Sequence, residues 1–287
     1  MSEGKRVLIV GANSYIGDSF ARYAKAREGH GDWLDIDIVD SHTGWRMAEF
    51  EEYETVIFVA GIAHRRQSWL SRGLYYAVNR DLAENVGKKA KAAGVKQFIY
   101  ISTMAVYGKT AGRIAADTLP NPKRGDYYGH SKIQGETLLS RLEDENFKLA
   151  IIRPPMVYGY GCPGKFGKLV RLAGKMPVIP NNGNKRSMIY IDNLSELLYQ
   201  VAQSGADGIF CPQNAEYINT AVLIKAIRRH SGKKSLVIGV KPLLKGLMVI
   251  CPPLRTAYSS LFYAAKDAAI KIGAVGFDES VKKSLGL

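Results

Sequence analysis

Cysteine is scarce in this sequence. The chain has 287 residues and only three cysteines, which lie far apart and form no Cys-x-x-Cys pair. Zinc sites and disulfide frameworks need thiols in characteristic spacings. We therefore expect no metal site and no disulfide framework, and we expect a reduced, cytoplasmic compartment.

Long apolar runs are also lacking. The most apolar stretch, residues 236–254, is interrupted by two lysines, a proline and a glycine: Lys241, Pro242, Lys245 and Gly246. A helix that crosses a bilayer needs about 20 predominantly apolar residues. Lys5 and Arg6 directly precede the first strand, where a signal peptide would carry its apolar core. The sequence predicts no stable membrane insertion.

Acidic residues are few beside the basic ones. Lysine and arginine number 40 against 26 aspartates and glutamates, so the formal net charge is +14. Such a balance favours anionic partners. The basic residues are spread along the chain, which argues against a nucleic-acid-binding stripe. The hydrophobic content of 46% indicates a globular protein of one large or two small domains.

A short apolar strand near the N-terminus leads into a turn that contains glycines. Residues 6–10 are mostly branched and apolar, and a helical pattern covers residues 19–27. In a dinucleotide-binding loop the first glycine permits a tight turn, the last lets the helix pack closely, and the helix N–H groups hold a diphosphate. The predicted cofactor contacts here are Gly11, Asn13, Ser14, Tyr15, Ile16 and Gly17.

The predicted second strand, residues 33–39, ends at Asp40. An acidic residue at this place accepts hydrogen bonds from the adenosine ribose and repels a 2′-phosphate. Asp40 therefore favours NAD as the cofactor. Ser41, His42 and Arg46 follow closely and could bind that phosphate instead, so NADP stays open.

Strand and helix patterns alternate along the first half of the chain. Strand patterns cover 55–59, 96–102 and 149–153, and helical patterns cover 76–93 and 128–145. This alternation predicts a parallel sheet with helices on both faces. Ligands of such sheets bind beyond the carboxyl ends of the strands, so we predict cofactor contacts from Ala60, Gly61 and Ser102.

The segment Tyr128-Gly-His-Ser-Lys132 places a phenol and an ammonium four positions apart. On a helix these positions share a face. A free tyrosine titrates near ~10, and a neighbouring cation favours the phenolate and lowers that value. The pair is an acid/base device if it faces a pocket, although the same pattern also occurs in solvated helical turns.

The sequence changes character after Pro155. Glycines become frequent, and four basic residues follow on a short helical pattern: Lys165, Lys168, Arg171 and Lys175. Arg186 stands at the entry to an apolar strand, and arginine binds phosphate in a bidentate way. We predict a dinucleotide-binding domain at 1–155, to which 186–205 returns, and a mainly substrate-binding region at 156–287.

Six motifs in this order resemble the extended short-chain dehydrogenase/reductase family, in its epimerase/dehydratase branch that acts on nucleotide sugars. The similarity covers about residues 6–198. The motifs are Gly11-Ala-Asn-Ser-Tyr-Ile-Gly17, Phe58-Val-Ala-Gly61, Ile101-Ser-Thr-Met-Ala-Val-Tyr-Gly108, Tyr128-Gly-His-Ser-Lys132, Arg153-Pro-Pro-Met-Val-Tyr-Gly159 and Arg186-Ser-Met-Ile-Tyr-Ile191. The resemblance implies an α/β fold: a Rossmann-type doubly wound parallel sheet with a smaller mixed α/β substrate-binding region toward the C-terminus.

The resemblance also implies roles for individual residues. Thr103 would hydrogen-bond the reacting sugar oxygen, Tyr128 would be the acid/base, and Lys132 would bind the nicotinamide ribose and tune Tyr128. Arg186 would bind the substrate diphosphate, and Pro154 would add to the cofactor site. It further implies a UDP-linked substrate, a role in polysaccharide biosynthesis, and a homodimer formed through the helices near 76–93 and 126–145.

The chain departs from the family pattern in three places. Ser14 replaces the usual middle glycine, and Val10 stands where many members have threonine. Between Asp40 and Val56 the chain is short, so we expect the strand that usually brings a second acidic residue to the adenine to be reduced.

The residues after Thr103 bear on the reaction. Related dehydratases carry Asp-Glu there, whereas this chain has Met104 and Ala105, which cannot transfer protons. Dehydration is therefore disfavoured. We favour an NAD(P)-dependent 4-epimerase of a UDP-hexose or a UDP-N-acetylhexosamine. The alternatives are an NAD(P)H-dependent 4-keto-6-deoxy nucleotide-sugar reductase and a catalytically inactive NAD(P)-binding sensor or scaffold.

Overall fold

The structure is a computed structural model. It describes residues 4–29, 31, 33–63, 67–240, 251–264 and 270–287. Most of the apolar stretch 240–254 therefore lies outside the described residues, as does His64.

The chain divides into two compact units. The first comprises Met1–Gly108, Leu119–Pro154 and Leu194–Pro212, and the second comprises Lys109–Thr118, Pro155–Asn193 and Gln213–Leu287. Residues 109–118 thus join the second unit. The segment that we expect to return at 186–205 joins the first unit only from Leu194 onward. The chain therefore passes between the two units at several positions, and not only near residue 155.

A six-stranded parallel sheet forms the centre of the first unit. Its strands, in spatial order, are β10 (Gly208–Phe210), β6 (Lys148–Ile152), β4 (Gln97–Ile101), β3 (Thr55–Phe58), β1 (Lys5–Val10) and β2 (Leu34–Val39). The inner strands are apolar runs buried on both faces, as parallel sheets require. This confirms the predicted fold class.

After β2 the order in which strands are added to the sheet reverses, and β3 lies on the other side of β1. A four-residue helix, α2 (Gly44–Met47), and the 3₁₀ turn Phe50–Glu52 connect β2 to β3 on the other side of β1. Among the described residues no strand lies beyond β2, so the order starts as 2-1-3 rather than 3-2-1. The expected reduction between Asp40 and Val56 is confirmed.

Helices of the first unit connect these strands. They are α1 (Tyr15–Lys25), α3 (Arg72–Tyr76), α4 (Ala83–Ala92), α5 (Tyr127–Ser140) and α7 (Ile191–Ser204), of which α7 begins in the second unit. A π-helical segment, Ala77–Leu82, joins α3 to α4. The predicted helix 19–27 therefore begins earlier, the predicted helix 76–93 starts at Arg72, and the predicted helix 128–145 ends at Ser140.

The second unit combines short strand pairs with helices. Its strands are β5 (Gly112–Ile114), β7 (Met156–Tyr158), β8 (Val178–Asn181), β9 (Met188–Tyr190), β11 (Pro212–Asn214), β12 (Leu236–Gly239), β13 (Leu261–Tyr263) and β14 (Ile270–Ile272). Its helices are α6 (Lys165–Ala173), α8 (Thr220–His230), α9 (Pro252–Tyr258) and α10 (Phe277–Ser284). Within the described residues, no helix is both long and apolar enough to span a bilayer.

Candidate active site

The turn after β1 needs glycine at both of its ends. Gly11 has a φ of 128°, and a Cβ there would lie 2.7 Å from the amide nitrogen of Ala60. A Cβ on Gly17 would lie 2.6 Å from Oγ of Ser14. Among the described residues, Asn13 is the one non-glycine residue with a positive φ, 62°. The turn is thus as tight as the glycine pattern predicts.

Ser14, which replaces the usual middle glycine, is the N-cap of α1. Its Oγ accepts a hydrogen bond from the amide of Gly17 at 3.1 Å. The serine hydroxyl keeps its own proton for donation, and it lies at the helix N-terminus, where the partial positive charge of the helix favours an anion. Tyr15 and Ile16 form the first turn of the same helix. The sequence did not reveal this capping role.

Asp40 lies at the carboxyl end of β2 and holds the following turn. Its carboxylate accepts hydrogen bonds from the amides of His42 at 2.7 Å, Thr43 at 2.9 Å and Gly44 at 3.0 Å. These backbone donors hold the pKa of the Asp40 carboxyl below its usual value. The group is therefore an anion at neutral pH, as the NAD interpretation requires. Arg46 stacks over the ring of Trp45 at 4.7 Å and donates to the carbonyl of His42.

The loop after β3 is held by Asn79, a residue that sequence reasoning missed. Asn79 is fully buried in the π-helical segment. Its Oδ1 accepts from the amide of Ile62 at 2.9 Å, and its Nδ2 donates to the Ile62 carbonyl at 3.2 Å and to Oγ of Ser131 at 3.0 Å. It therefore ties the loop after Gly61 to the helix that carries Lys132. A π-helical segment often marks a functional position, but its presence is not visible in the sequence.

Thr103 and Tyr128 meet through their side chains. Thr103 follows β4 and caps a 3₁₀ turn, since its Oγ1 accepts from the amide of Ala105 at 3.2 Å. The Thr103 side chain also acts on the phenol of Tyr128, whose pKa it lowers. Asp126 caps α5 by accepting from the amide of Gly129 at 3.1 Å.

Gly129 explains why the helix can come so close to Thr103. A Cβ on Gly129 would lie 3.1 Å from the carbonyl oxygen of Ala105 and 2.7 Å from Oδ2 of Asp126. The carbonyl of Pro154 accepts from the amide of Met104 at 2.9 Å, which fixes the other side of the turn.

The pKa of Tyr128 moves in the direction opposite to our expectation. Burial raises it above the usual value, the Thr103 side chain lowers it, and the charges of Asp126 and Tyr75 raise it. The expectation that a neighbouring cation lowers this pKa is wrong for the protein without cofactor, because burial has the largest effect. The resting group is a neutral phenol.

Lys132 is a buried cation with few polar neighbours. It is 4% exposed, and its Nζ donates to the carbonyl of Ile101 at 2.8 Å and lies 4.6 Å from the ring centre of Tyr100. Burial lowers its pKa to about 7, although the charge of Glu136 raises it. A Cβ on Gly61 would lie 3.1 Å from Nζ, so Gly61 leaves room beside the ammonium group.

A second buried charge cluster lies one helical turn further along α5. Glu136 accepts from Arg153, with Nη2 to Oε2 at 2.5 Å and Nε to Oε1 at 3.1 Å. The hydroxyl of Ser102 also donates to Glu136, and Nη1 of Arg153 donates to the phenol of Tyr107 at 2.9 Å. The cluster thus connects the ends of β4 and β6 to α5. Sequence reasoning missed this cluster, although the spacing of Tyr128, Lys132 and Glu136 by four places Glu136 on the same face of the helix.

Arg186 lies in the second unit, and its side chain is partly engaged. Its Nη1 donates to the carbonyls of Thr256 and Ser259, each at 2.9 Å. Burial lowers the pKa of its guanidinium below the usual value. The arginine is held in place from the C-terminal end of α9, and its role toward a substrate diphosphate stays a prediction. Among the described residues no group of His, Cys, Asp or Glu could hold a metal ion.

Known proteins resemble this chain in sequence and in fold. The model of the NAD dependent epimerase/dehydratase family matches residues 7–210. The chain is 34% identical over 161 residues to a UDP-glucose 4-epimerase of Vibrio cholerae, which is 54% of this chain and 49% of that protein. It spans about half the length, or less, of the first curated relatives that it matches.

Two solved structures share the fold over almost the whole chain. A dTDP-4-dehydrorhamnose reductase from Clostridium acetobutylicum is 17% identical, has a TM-score of 0.72 and matches over 98% of both chains. A UDP-glucuronic acid 4-epimerase from Bacillus cereus in complex with NAD is 17% identical, has a TM-score of 0.71, and matches over 98% of this chain and 97% of its own. At this identity the likeness shows the fold.

Proposed function

Because this chain belongs to the NAD-dependent epimerase/dehydratase family, we propose that it is a nucleotide-sugar 4-epimerase acting on a UDP-hexose or a UDP-N-acetylhexosamine. The observation that carries the proposal is that the Thr103 side chain acts on the phenol of Tyr128, which lies on the helix that bears the buried Lys132. Two hydroxyls and a tunable cation suit a site that takes a proton from a sugar hydroxyl and returns it.

In the proposed reaction one proton and one hydride leave the sugar and later return to it. When bound, NAD⁺ supplies the acceptor for the hydride of C4. Thr103 holds the sugar 4-hydroxyl, and Tyr128 as phenolate takes its proton. Once the 4-keto sugar had turned over in the pocket and its other face had been reduced, Tyr128 would give the proton back to the C4 oxygen. No cofactor is consumed.

The residues of the predicted cofactor site fit NAD. The N-terminal end of α1 offers the Ser14 hydroxyl, and Asp40 is an anion at the end of β2. The positive nicotinamide ring would also favour the phenolate of Tyr128, because an opposite charge lowers the pKa of a phenol. We propose that this charge offsets the effect of burial, and we propose NAD rather than NADP as the preferred cofactor.

One observation favours a second candidate, a reductase of 4-keto-6-deoxy nucleotide sugars. Burial raises the pKa of Tyr128, so the protein alone holds a neutral phenol. A reductase needs that neutral phenol, because it donates one proton to the carbonyl oxygen as hydride arrives at C4. Dehydration is not proposed, because Met104 is 8% exposed and apolar and Ala105 has no acidic group.

A proton NMR time course tests both candidates. The purified protein is mixed with UDP-glucose or UDP-N-acetylglucosamine and a trace of NAD⁺. An epimerase accumulates the C4 epimer in an amount greater than the cofactor present, because the cofactor is recycled. If both sugars stay unchanged, these epimerisations are excluded. The reductase is then tested by the oxidation of NADH or NADPH with a 4-keto-6-deoxy nucleotide sugar.

The remaining expectations about the whole protein are also proposals. We propose a homodimer formed through the helices at 76–93 and 126–145, a cytoplasmic location and a place in polysaccharide biosynthesis. Light scattering at micromolar concentration tests the dimer, and a monomer would contradict it.

A further inference from the structure

The segment between β3 and α3 exposes large apolar side chains. Trp69 is 77% exposed and Leu70 is 88% exposed, in a 3₁₀ turn that runs directly into α3, and Leu74 on α3 is 37% exposed. The turn is well defined, because Ser68 and Ser71 form a reciprocal capping box. The apolar groups are therefore presented by a fixed turn of backbone.

A basic and aromatic cavity lies beside these side chains. It has a volume of about 430 Å³ and is lined by Arg72, Tyr76, Arg124, Gly125, Tyr127 and His130. The guanidinium of Arg72 lies 5.8 Å from the ring centre of Tyr76 and 6.0 Å from that of Tyr127. We call Trp69, Leu70, Arg72, Leu74, Tyr76 and Arg124 the basic aromatic patch.

The patch carries positive charge with little compensation. The sequence contains no aspartate or glutamate between Glu54 and Asp81. Within the described residues, neither Arg72 nor Arg124 forms an ion pair with a carboxylate. Asp126, which stands between the cavity-lining residues Gly125 and Tyr127, uses its carboxylate to cap α5 and to accept from Nε2 of Gln67 at 3.2 Å. The two guanidinium groups are therefore available to an external anion.

We propose that the basic aromatic patch is a docking surface for an anionic phospholipid membrane. Arg72 and Arg124 would bind lipid phosphates at the cavity. Trp69 and Leu70 would enter the headgroup region. Tryptophan is suited to that depth because its ring is apolar and its N–H is polar. A basic segment is attracted to an anionic leaflet, and the apolar groups add to that attraction. In this mode of binding the protein lies on the membrane surface and does not require a spanning helix.

Charge complementarity favours a membrane over a second copy of the chain. A symmetric dimer places the same patch of both subunits face to face. Arg72 and Arg124 precede the helices at 76–93 and 126–145 that we propose for the homodimer. A two-fold contact centred on the patch itself, which contains no acidic residue, would bring them against their own copies, and like charges would repel. An anionic bilayer offers the opposite charge over the whole patch. The net charge of +14 acts in the same direction.

Vesicle co-sedimentation of the full chain tests the proposal. At low ionic strength we expect binding to vesicles of phosphatidylcholine with phosphatidylglycerol and not to phosphatidylcholine alone. Binding should weaken as salt is added, because salt screens the attraction. The variant Arg72→Glu/Arg124→Glu should bind at least about tenfold more weakly, since each basic residue contributes about fivefold. The control Lys25→Glu/Lys148→Glu makes the same change in net charge at two exposed sites and should bind nearly as wild type.

The variant Trp69→Ser/Leu70→Ser tests the apolar part of the patch. Its control is Met47→Ser, since Met47 is 82% exposed and lies outside the patch. The first variant should lose most binding, and the control should keep it. Trp45 is buried and Trp33 is partly exposed, so the tryptophan emission should shift to the blue when anionic vesicles are added to the wild type, and this shift should be lost in Trp69→Ser/Leu70→Ser. The proposal is overturned if the wild type does not bind, or if patch and control variants bind equally. It is also overturned if patch variants turn a dimer into a monomer by light scattering while vesicle binding is unchanged.

Discussion

Two buried cations lie close together in the first unit, and the protein treats them in opposite ways. Arg153 is 6% exposed and Lys132 is 4% exposed. Arg153 donates to both oxygens of Glu136 and to the phenol of Tyr107, and these partners raise its pKa. Lys132 has a carbonyl and the face of an aromatic ring as neighbours, and burial lowers its pKa to about 7.

The difference separates a charge that holds the structure together from one that we propose is kept for chemistry. A buried ion pair with satisfied hydrogen bonds is tolerated and fixes the positions of the groups that it joins. A buried ammonium without a carboxylate is unfavourable for folding, and it persists where function benefits from it. Arg153 and Glu136 therefore hold the ends of β4 and β6 against α5, and Lys132 remains able to respond to a bound ligand.

The largest expected effect is on activity, and it follows from replacing the unpaired cation. Lys132→Met keeps the length of the side chain and removes its charge. We expect kcat/KM for the epimerisation to fall by about 10²- to 10⁴-fold, which is the usual contribution of an acid/base system. Lys148→Met, at an exposed lysine, should leave the rate unchanged. A Lys132→Met protein with wild-type activity would show that the ammonium has no part in the reaction.

The paired cation should matter for stability instead. Glu136→Gln leaves the Arg153 charge buried without its carboxylate, so we expect the free energy of unfolding to fall by about 3 kcal/mol. Urea denaturation at pH 7 measures it. Glu84→Gln, which removes the helical pair with Lys88, should cost less than about 1 kcal/mol. The double variant Glu136→Leu/Arg153→Met should recover most of the loss, because no charge is then left unpaired. A further loss in the double variant would refute the comparison.

Lys132→Met should also make the protein more stable at low pH. In the unfolded chain the lysine keeps its proton up to pH 10.5, whereas in the folded protein it loses the proton near pH 7. Burying the charged lysine lowers the stability of the wild type by its full amount below pH 7. This loss becomes smaller as the pH rises from 7 toward 10.5. We therefore expect the variant to exceed the wild type by about 2 to 4 kcal/mol at pH 6, and by less at pH 9. A difference that grows with pH would contradict the assignment.

Sequence reasoning predicted the parts of this site that depend on local chain geometry. Gly11 and Gly17 mark the tight turn, and the spacing of Tyr128 and Lys132 puts both on one helix. Such features are set by residues a few positions apart, so a single sequence contains them. The short connection between Asp40 and Val56 also predicted that no strand lies beyond β2 among the described residues.

The features that sequence reasoning missed depend on distant residues or on burial. Asn79 reaches Ser131 across 52 positions, and Glu136 pairs with Arg153 from a different element. The pKa of Tyr128 was predicted in the wrong direction because the motif shows the nearby lysine but not the loss of solvent around the phenol. Local spacing identified the reactive groups, and only the packing shows their protonation state.

The smallest expected effect links the two cations directly. The charge of Glu136 raises the pKa of Lys132, although burial lowers it more. In Glu136→Gln that support is removed, so the pKa of Lys132 should fall below its wild-type value of about 7. NMR titration of labelled lysine side chains measures it, at a temperature where circular dichroism shows the variant to be folded. The matched variant Glu84→Gln should leave the pKa of Lys132 unchanged. An unchanged or raised pKa in Glu136→Gln would mean that Glu136 serves Arg153 alone, and that the two cations are electrostatically independent.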